Sequence, residues 1–187
     1  FLSNNINELS ASLGADLIVM GVTGGGKLQE TLVGSNAVHV ARHSKIPVIV
    51  VPPGAAYSRI EKILLACDFK KVVETTPVEP IKKILDATKA KFLVLNIDHN
   101  QQHFDAETPF ESLMLDHLFH SYEPQYEFSK NPDFIEGMNE FALKESVDLI
   151  VTIPKKHGLL ENLFSKNHTK ELAFHSHVPL MMVHQEE

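Results

Sequence analysis

Residues 16–51, DLIVMGVTGGGKLQETLVGSNAVHVARHSKIPVIVV, decide the fold because they occur twice. Residues 148–183, DLIVTIPKKHGLLENLFSKNHTKELAFHSHVPLMMV, align with them without a gap at an offset of 132 (148 minus 16). Asp16, Leu17, Ile18 and Val19 match Asp148, Leu149, Ile150 and Val151. Leu28 matches Leu160, Ala41 matches Ala173, and His43-Ser44 matches His175-Ser176. Pro47 and Val51 match Pro179 and Val183. Chance likeness between two similar units is a poor account of an ungapped match with DLIV at one end and HS-x-x-P near the other. A fixed internal period marks a duplicated structural unit.

Each copy reads strand, loop, helix, strand. DLIV is a continuous apolar run, as expected of a parallel strand covered on both faces. Ser35 and Asn167 hold equivalent positions, and both residue types cap a helix start by accepting from its free N–H groups. The spacing predicts a helix ending near His43 or His175, then a strand after Pro47 or Pro179. Strand–helix–strand implies a right-handed parallel crossover.

Ahead of the second copy lies enough chain to complete a domain. KILLACDF (62–69) predicts a strand. VEPIKKILDATKA (78–90) predicts a helix with Ile81, Ile84, Leu85 and Thr88 on one face, and Pro77 and Pro80 suit its first turn. KFLVLNID (91–98) predicts a strand and 99–110 a polar loop. Residues 111–120 predict a helix carrying Met114, Leu115, Leu118 and Phe119. PQYEFSK (124–130) alternates like an edge strand. Residues 132–147 predict a helix with Phe134, Ile135, Met138, Phe141 and Ala142 inward. The result is an α/β fold with a doubly wound, five-stranded parallel sheet. Ahead of the first copy stands only NINELSASLGA, a helix with Ile6, Leu9 and Leu13 on one face. In the second copy the first strand starts 86 residues before DLIV (148 minus 62), whereas 15 residues precede Asp16. The expected organisation is one partial copy, residues 1–57, and one complete copy, residues 58–187.

Composition bounds the function. Apolar residues make up 43% of the 187, enough for a sizeable core. The net charge of −7 argues against non-specific nucleic-acid binding, which needs a basic face. The single cysteine, Cys67, excludes an intrachain disulfide and suits a reducing compartment, so a cytoplasmic protein is expected. No apolar run reaches membrane-spanning length, and no signal peptide is visible.

The loop GVTGGGKL (21–28) carries the chemistry. A P-loop requires G-x-x-x-x-G-K-[ST]. Gly21, Gly26 and Lys27 fit, but Leu28 has no hydroxyl for magnesium. A second spacing fits better: Gly21, two residues, Gly24, nine residues, Gly34-Ser35. Gly21 and Gly24 would let the backbone approach a phosphate with no Cβ in the way. Gly34-Ser35 opens a helix whose free N–H groups favour an anion, and Ser35 adds a hydroxyl.

This G-x2-G-x9-G-[ST] pattern resembles the ATP-binding signature of the universal stress protein family. The flanking strand, the helix after Ser35 and the final PVIVV fit that family, and residues 58–187 look like a second such domain. The resemblance implies a Rossmann-like, adenine nucleotide alpha hydrolase-like fold with strand order 3-2-1-4-5. It also implies a nucleotide site at Gly21, Val22, Gly24, Gly34, Ser35 and Asn36, taking ATP with Mg; because the family's site also uses the first-strand Asp, which the first copy lacks, binding by this chain alone is expected to be weak or absent. The tandem form implies an intrachain pseudo-dimer through the last strands, Val48–Val51 and Leu180–Val183, and allows a further homodimer. The implied role is binding in a stress response, regulatory or protective, rather than catalysis. The alternatives are an interaction module without nucleotide and, less favoured, a slow ATP-hydrolysing enzyme.

In the second copy, Ile153, Lys156, Lys166 and Asn167 replace Gly21, Gly24, Gly34 and Ser35. That site is expected to be degenerate. Asp68 stands at the end of its first strand, where the resemblance implies an adenine-side contact, here either a relic or part of an altered site. Lys155, Lys156, His157 and Lys166 are expected to form a solvated basic loop. Eleven histidines include His99/His103 and His117/His120 at helical spacing, but no fuller ligand set accompanies them, so no metal site is expected. His43 and its repeat His175 suit helix ends. Cys67, in an apolar strand, reads as a structural thiol.

Overall fold

The structure, a computed structural model, describes residues 2–21, 35–55, 59–98, 107–154 and 177–185. Seven strands form one sheet: β1 (Ile18–Gly21), β2 (Val48–Val51), β3 (Lys62–Ala66), β4 (Lys91–Asp98), β5 (Gln125–Lys130), β6 (Leu149–Thr152) and β7 (Leu180–Met182). Their spatial order is β1-β2-β7-β6-β3-β4-β5. The sheet is thus larger than the five strands expected of one domain. Five of the seven, β3 to β7, come from residues 62–182 and run β5-β4-β3-β6-β7, the order 3-2-1-4-5. The other two continue the same sheet.

Where they join, the sheet stops being parallel. β2 pairs antiparallel with β7 through Val48↔Met182, Ile49↔Met181 and Val50↔Leu180, while every other pairing is parallel. The physical reason is that both are apolar outer strands with an unpaired edge. Each N–H and C=O along such an edge needs a partner once buried, and pairing the two edges supplies it. Val48, Ile49, Val50 and Leu180 to Val183 are all buried.

Six helices flank the sheet among the described residues: α1 (Leu2–Leu13), α2 (Ser35–His43), α3 (Val72–Thr75), α4 (Val78–Thr88), α5 (Thr108–Phe119) and α6 (Phe134–Glu145). The sequence period appears directly in the coordinates. The bounds of α1 and α6 differ by 132 at both ends (134 minus 2, 145 minus 13). α6 begins at Asp133, whose carboxylate accepts from the N–H groups of Ile135 and Glu136 at 2.9 and 3.0 Å. Such a cap satisfies two of the four N–H groups a helix start leaves open. α4 buries Ile81 and Leu85, with Ile84 and Thr88 half-buried beside them.

Two apolar layers sandwich the sheet. One holds Ala37, Val40 and Ala41 of α2 and Met138 and Ala142 of α6 against alternate residues of β2, β3, β4, β6 and β7. The other holds Ile81, Leu85, Leu115 and Phe119 against the opposite face, where Phe92 and Phe119 meet edge-to-face at 5.1 Å. α1 departs from its expected packing. It docks through Ile6 and the buried Ser10, leaving Leu9 and Leu13 exposed. The edge of β1 that would shelter them carries no strand among the described residues.

Candidate functional site

Open α/β sheets bind ligands beyond the carboxyl ends of their strands, where crossovers leave in opposite directions. Two such places matter here, one per sequence copy.

The first lies at the end of β1. Gly21 closes that strand, paired with Val51 in extended backbone. Ser35 is the first residue of α2, and Asn36 is exposed in its first turn. Residues 22–34 therefore connect a carboxyl strand end to a helix N-terminus. Val22, Gly24 and Gly34 lie outside the described residues, as does the side chain of Ser35. At the other end of α2, the Nδ1 of His43 sits 2.8 Å from the His39 carbonyl, the helix-end role expected of it. His184 reaches the Ala41 carbonyl through Nε2 at 2.6 Å, tying the chain after β7 to α2.

The second lies beyond β3. Asp68 follows the strand by two residues and is only 7% exposed. Its Oδ1 accepts from the Lys70 N–H at 3.2 Å. Phe69, at φ 50, turns the chain so that its ring lies 5.7 Å from Phe128 and 6.2 Å from Tyr126. Burial, with Asp116 second, raises the Tyr126 hydroxyl well above its usual pKa, so this aromatic wall stays neutral. Val72, fully buried, opens α3, and its N–H donates to Glu111 Oε2 at 2.8 Å. Asn96 donates from Nδ2 to the Cys67 carbonyl at 2.9 Å. Cys67 is half-buried, and its sulfur lies 3.4 Å from the Phe69 N–H. Asp68 thus offers a ligand little free surface.

Sequence reasoning passed over Asn96 and Glu111. Asn96 was signalled by being the one amide inside the apolar run FLVLNID; Glu111 carried no local signal. Lys155, Lys156, His157, Lys166, Asn167, His99, His103 and His175 lie outside the described residues. His117 and His120 are exposed.

A third feature lies at the opposite, amino end of the strands. A groove of about 280 Å³ is lined by Asp16, Lys45, Pro47, Lys83, Ile84 and His184, among others. Lys83 Nζ of α4 lies 2.7 Å from Asp16 Oδ1, joining the two sequence copies. The hydrogen bond and charge of Lys83 hold the Asp16 carboxyl below the usual carboxylate range. Among the described residues, no helix is long and apolar enough to cross a membrane.

Known proteins agree with this architecture. A universal stress protein from Archaeoglobus fulgidus superposes with a TM-score of 0.69 at 17% identity, over 99% of this chain and 66% of its own. A functionally unknown protein from Pseudomonas aeruginosa PAO1 gives 0.67 at 16% identity, over 98% and 68%. The chain thus spans about two thirds of their length. A universal stress protein in complex with cAMP gives 0.50 at 14% identity, over 68% of this chain and 98% of its own. No curated protein matches the chain in sequence. The family model that matches is that of the Universal stress protein family, over residues 3–52. The chain is therefore similar to universal stress proteins in sequence over its first 50 or so residues, and in fold over nearly its whole length.

Proposed function

We propose that the chain comes from a tandem universal stress protein whose nucleotide site, for ATP with Mg, lies at the glycine loop of residues 1–57, and that this chain by itself binds the nucleotide weakly or not at all. It acts by binding, in a regulatory or protective stress response in the cytoplasm, and residues 58–187 form a second, degenerate domain. The observation that carries the reading is the placement of the loop. It leaves β1 at Gly21 and returns at the N-terminus of α2, a nine-residue helix whose open N–H groups suit a phosphate. The cAMP bound by a neighbour of this fold supports an adenine nucleotide as the ligand class.

The tandem reading has its own support. Ile49 pairs with Met181, and 49 plus 132 is 181. Val48 pairs with the repeat counterpart of Val50, and Val50 with that of Val48. A twofold axis through Ile49 and Met181 would generate this register, as in an isologous dimer whose halves share one chain. Asp68, only 7% exposed, fits a second site that has lost its ligand.

An interaction module without nucleotide is the second reading. It is favoured by the lack, among the described residues, of a strand beside β1 that could carry a counterpart of Asp68. Calorimetric titration with magnesium-ATP decides between them. Saturable binding, even weak, that disappears in Gly34→Asp, with the fold retained, supports the nucleotide site. No saturable heat leaves that site to be tested on the intact protein, and heat indifferent to the substitution leaves the interaction module. Turnover well above background would favour the enzyme, which Leu28 disfavours by offering no magnesium ligand.

A further inference from the structure

We propose that β5 is a self-association edge: two copies of this chain pair their β5 strands antiparallel, in the register that sets Phe128 opposite Phe128. The proposal rests on neither the tandem reading nor nucleotide binding.

The sequence brackets this strand symmetrically. Pro124 and Pro132 enclose the seven residues 125–131, and Phe128 is the middle one. Proline has no N–H to give a ladder, so a pairing of two such strands is confined to the residues between them. A twofold axis through Phe128, normal to the sheet, sets each residue opposite the one whose number completes 256 (128 plus 128). Tyr126 then faces Lys130, Glu127 faces Ser129, and the prolines meet outside the ladder. Neighbouring registers are worse. A shift one way sets Glu127 opposite Glu127, and like charges directly opposite are destabilising. A shift the other way brings Pro132 into the ladder opposite Tyr126.

The structure puts this strand where a partner can reach it. β5 ends the sheet, paired with β4 through all six of its residues and, among the described residues, on that side only. An edge of unpaired N–H and C=O groups is a template for a further strand. The two faces of β5 differ. Tyr126 and Phe128 stand on the side of Phe69, at ring distances of 6.2 and 5.7 Å. Gln125 and Glu127, on the other side, are exposed, and Ser129 is half-buried. Phe69 is buried, yet Phe128, stacked against it, is still 47% exposed. Meeting its own counterpart across the axis covers both rings, an aromatic cross-strand pair.

Charge supports a second copy as the occupant. The Tyr126 hydroxyl donates to Asp116 Oδ1 of α5 at 3.5 Å, so a carboxylate stands over this part of the strand. Lys130 of the other copy enters beside that ring and that carboxylate, and the axis repeats the contact. On the opposite face, the Ser129 hydroxyl of one copy can donate to Glu127 of the other. The chain already uses such a joint, since β2 and β7 meet antiparallel with Ile49 opposite Met181.

The test uses the 187-residue chain. Sedimentation equilibrium should show a reversible monomer–dimer equilibrium, with amide exchange in β5 slowing as concentration rises. Phe128→Glu sets two carboxylates opposite each other and should weaken the dimer about tenfold or more. Because Phe128 also stacks on Phe69, a second position reads the register without touching that contact. Ser129→Lys should tighten the dimer by placing a cation opposite Glu127 twice, and Ser129→Glu should loosen it, each by a few-fold. In a Cys67→Ser background, Phe128→Cys should form a covalent dimer under diamide. Opposite Cα atoms of an antiparallel pair lie about 4.5–5.5 Å apart, within disulfide reach. Glu127→Cys, which faces Ser129, should cross-link far more slowly. The proposal is overturned by a chain that stays monomeric, a dimer indifferent to both Ser129 variants, protection that rises outside β5, or equal cross-linking at 127 and 128.

Discussion

Asp148 and Asp16 are the same residue of the repeat in two environments, and Asp148→Ala and Asp16→Ala should differ sharply. Asp148 is half-buried and accepts two backbone N–H groups, at 2.8 Å from Glu61 and 2.9 Å from Lys62. A hydrogen bond to a charged group contributes about 1.5–3 kcal/mol. The freed N–H groups sit at the strand's start, where Glu61 is exposed and Lys62 half-buried, so water recovers part of that. The expected loss for Asp148→Ala is about 2–3 kcal/mol in all. For a chain of this length that lowers Tm by roughly 5–10 °C. Asp148→Asn, which keeps an acceptor but not the charge, should fall between.

Asp16→Ala removes only an exposed contact to Lys83 and should leave the unfolding midpoint where it is. Equilibrium urea unfolding of the three variants reads the difference, provided m is unchanged. Amide exchange localises it, with faster exchange at Glu61 and Lys62 in Asp148→Ala alone. Equal losses at Asp148 and Asp16, or no loss at Asp148, would refute the argument that this aspartate's role is to receive a neighbouring strand.

Gly137→Ala should destabilise, although alanine is the better helix former. Its Cβ would come within 2.8 Å of Asn131 Cβ, on a residue whose Oδ1 already accepts from the Asp133 N–H at 2.8 Å. Crowding of that kind costs about 1–3 kcal/mol against a propensity gain of about 1, readable by the same urea titration. The Asp16–Lys83 pair predicts a pH effect of known sign. The folded pKa of Asp16 is lowered, so the pair's contribution is present above the ordinary carboxylate pKa and lost as pH falls through the lowered value. An NMR titration should find the Asp16 midpoint below the usual range, and Lys83→Ala should return it there.

The repeat made much of this fold legible. Once DLIV and HS-x-x-P align, β1 and β6 and then β2 and β7 follow, because a buried parallel strand and a helix end each leave a local signature. α4 and α6 were visible for the same reason, through apolar residues at helical spacing such as Ile81 with Leu85 and Met138 with Ala142. What stayed hidden is non-local. α3 has four residues, too few for periodicity, and starts from Lys71 at φ 48, a conformation no lysine advertises. Phe69 meets Tyr126 and Phe128, more than 50 positions away, a contact no local pattern announces. Of the expected nucleotide residues, Gly21 ends β1 rather than opening the loop, and Ser35 is the first residue of α2 rather than its cap. The loop between them lies outside the described residues. Helical spacing placed Leu9 and Leu13 on one face but could not say whether anything covers it.

The asymmetry between the copies follows from where each strand stands in the sheet. β7 and β2 each gain a partner at the antiparallel junction, so the junction hides one edge from each copy. β6 is then paired on both sides, whereas β1 is paired on one side only among the described residues. That difference propagates outward. The valine that is fully buried in β6 is exposed in β1, and the aspartate that anchors two amides in one copy holds a surface lysine in the other. α1 and α2 pack on β1 and β2, which are held to the rest of the sheet from the β7 side. β1 and β2 are thus joined to the rest of the sheet through β7, and stability should flow outward from that junction. Ile49→Asp would place a charge in the layer formed with Met181 and Val183. The effect should fall hardest on the glycine-loop copy, loosening α1, α2 and the loop between β1 and α2 before β3, β4 and β5 respond. A perturbation felt equally across all seven strands would show instead that the two copies fold as one cooperative unit.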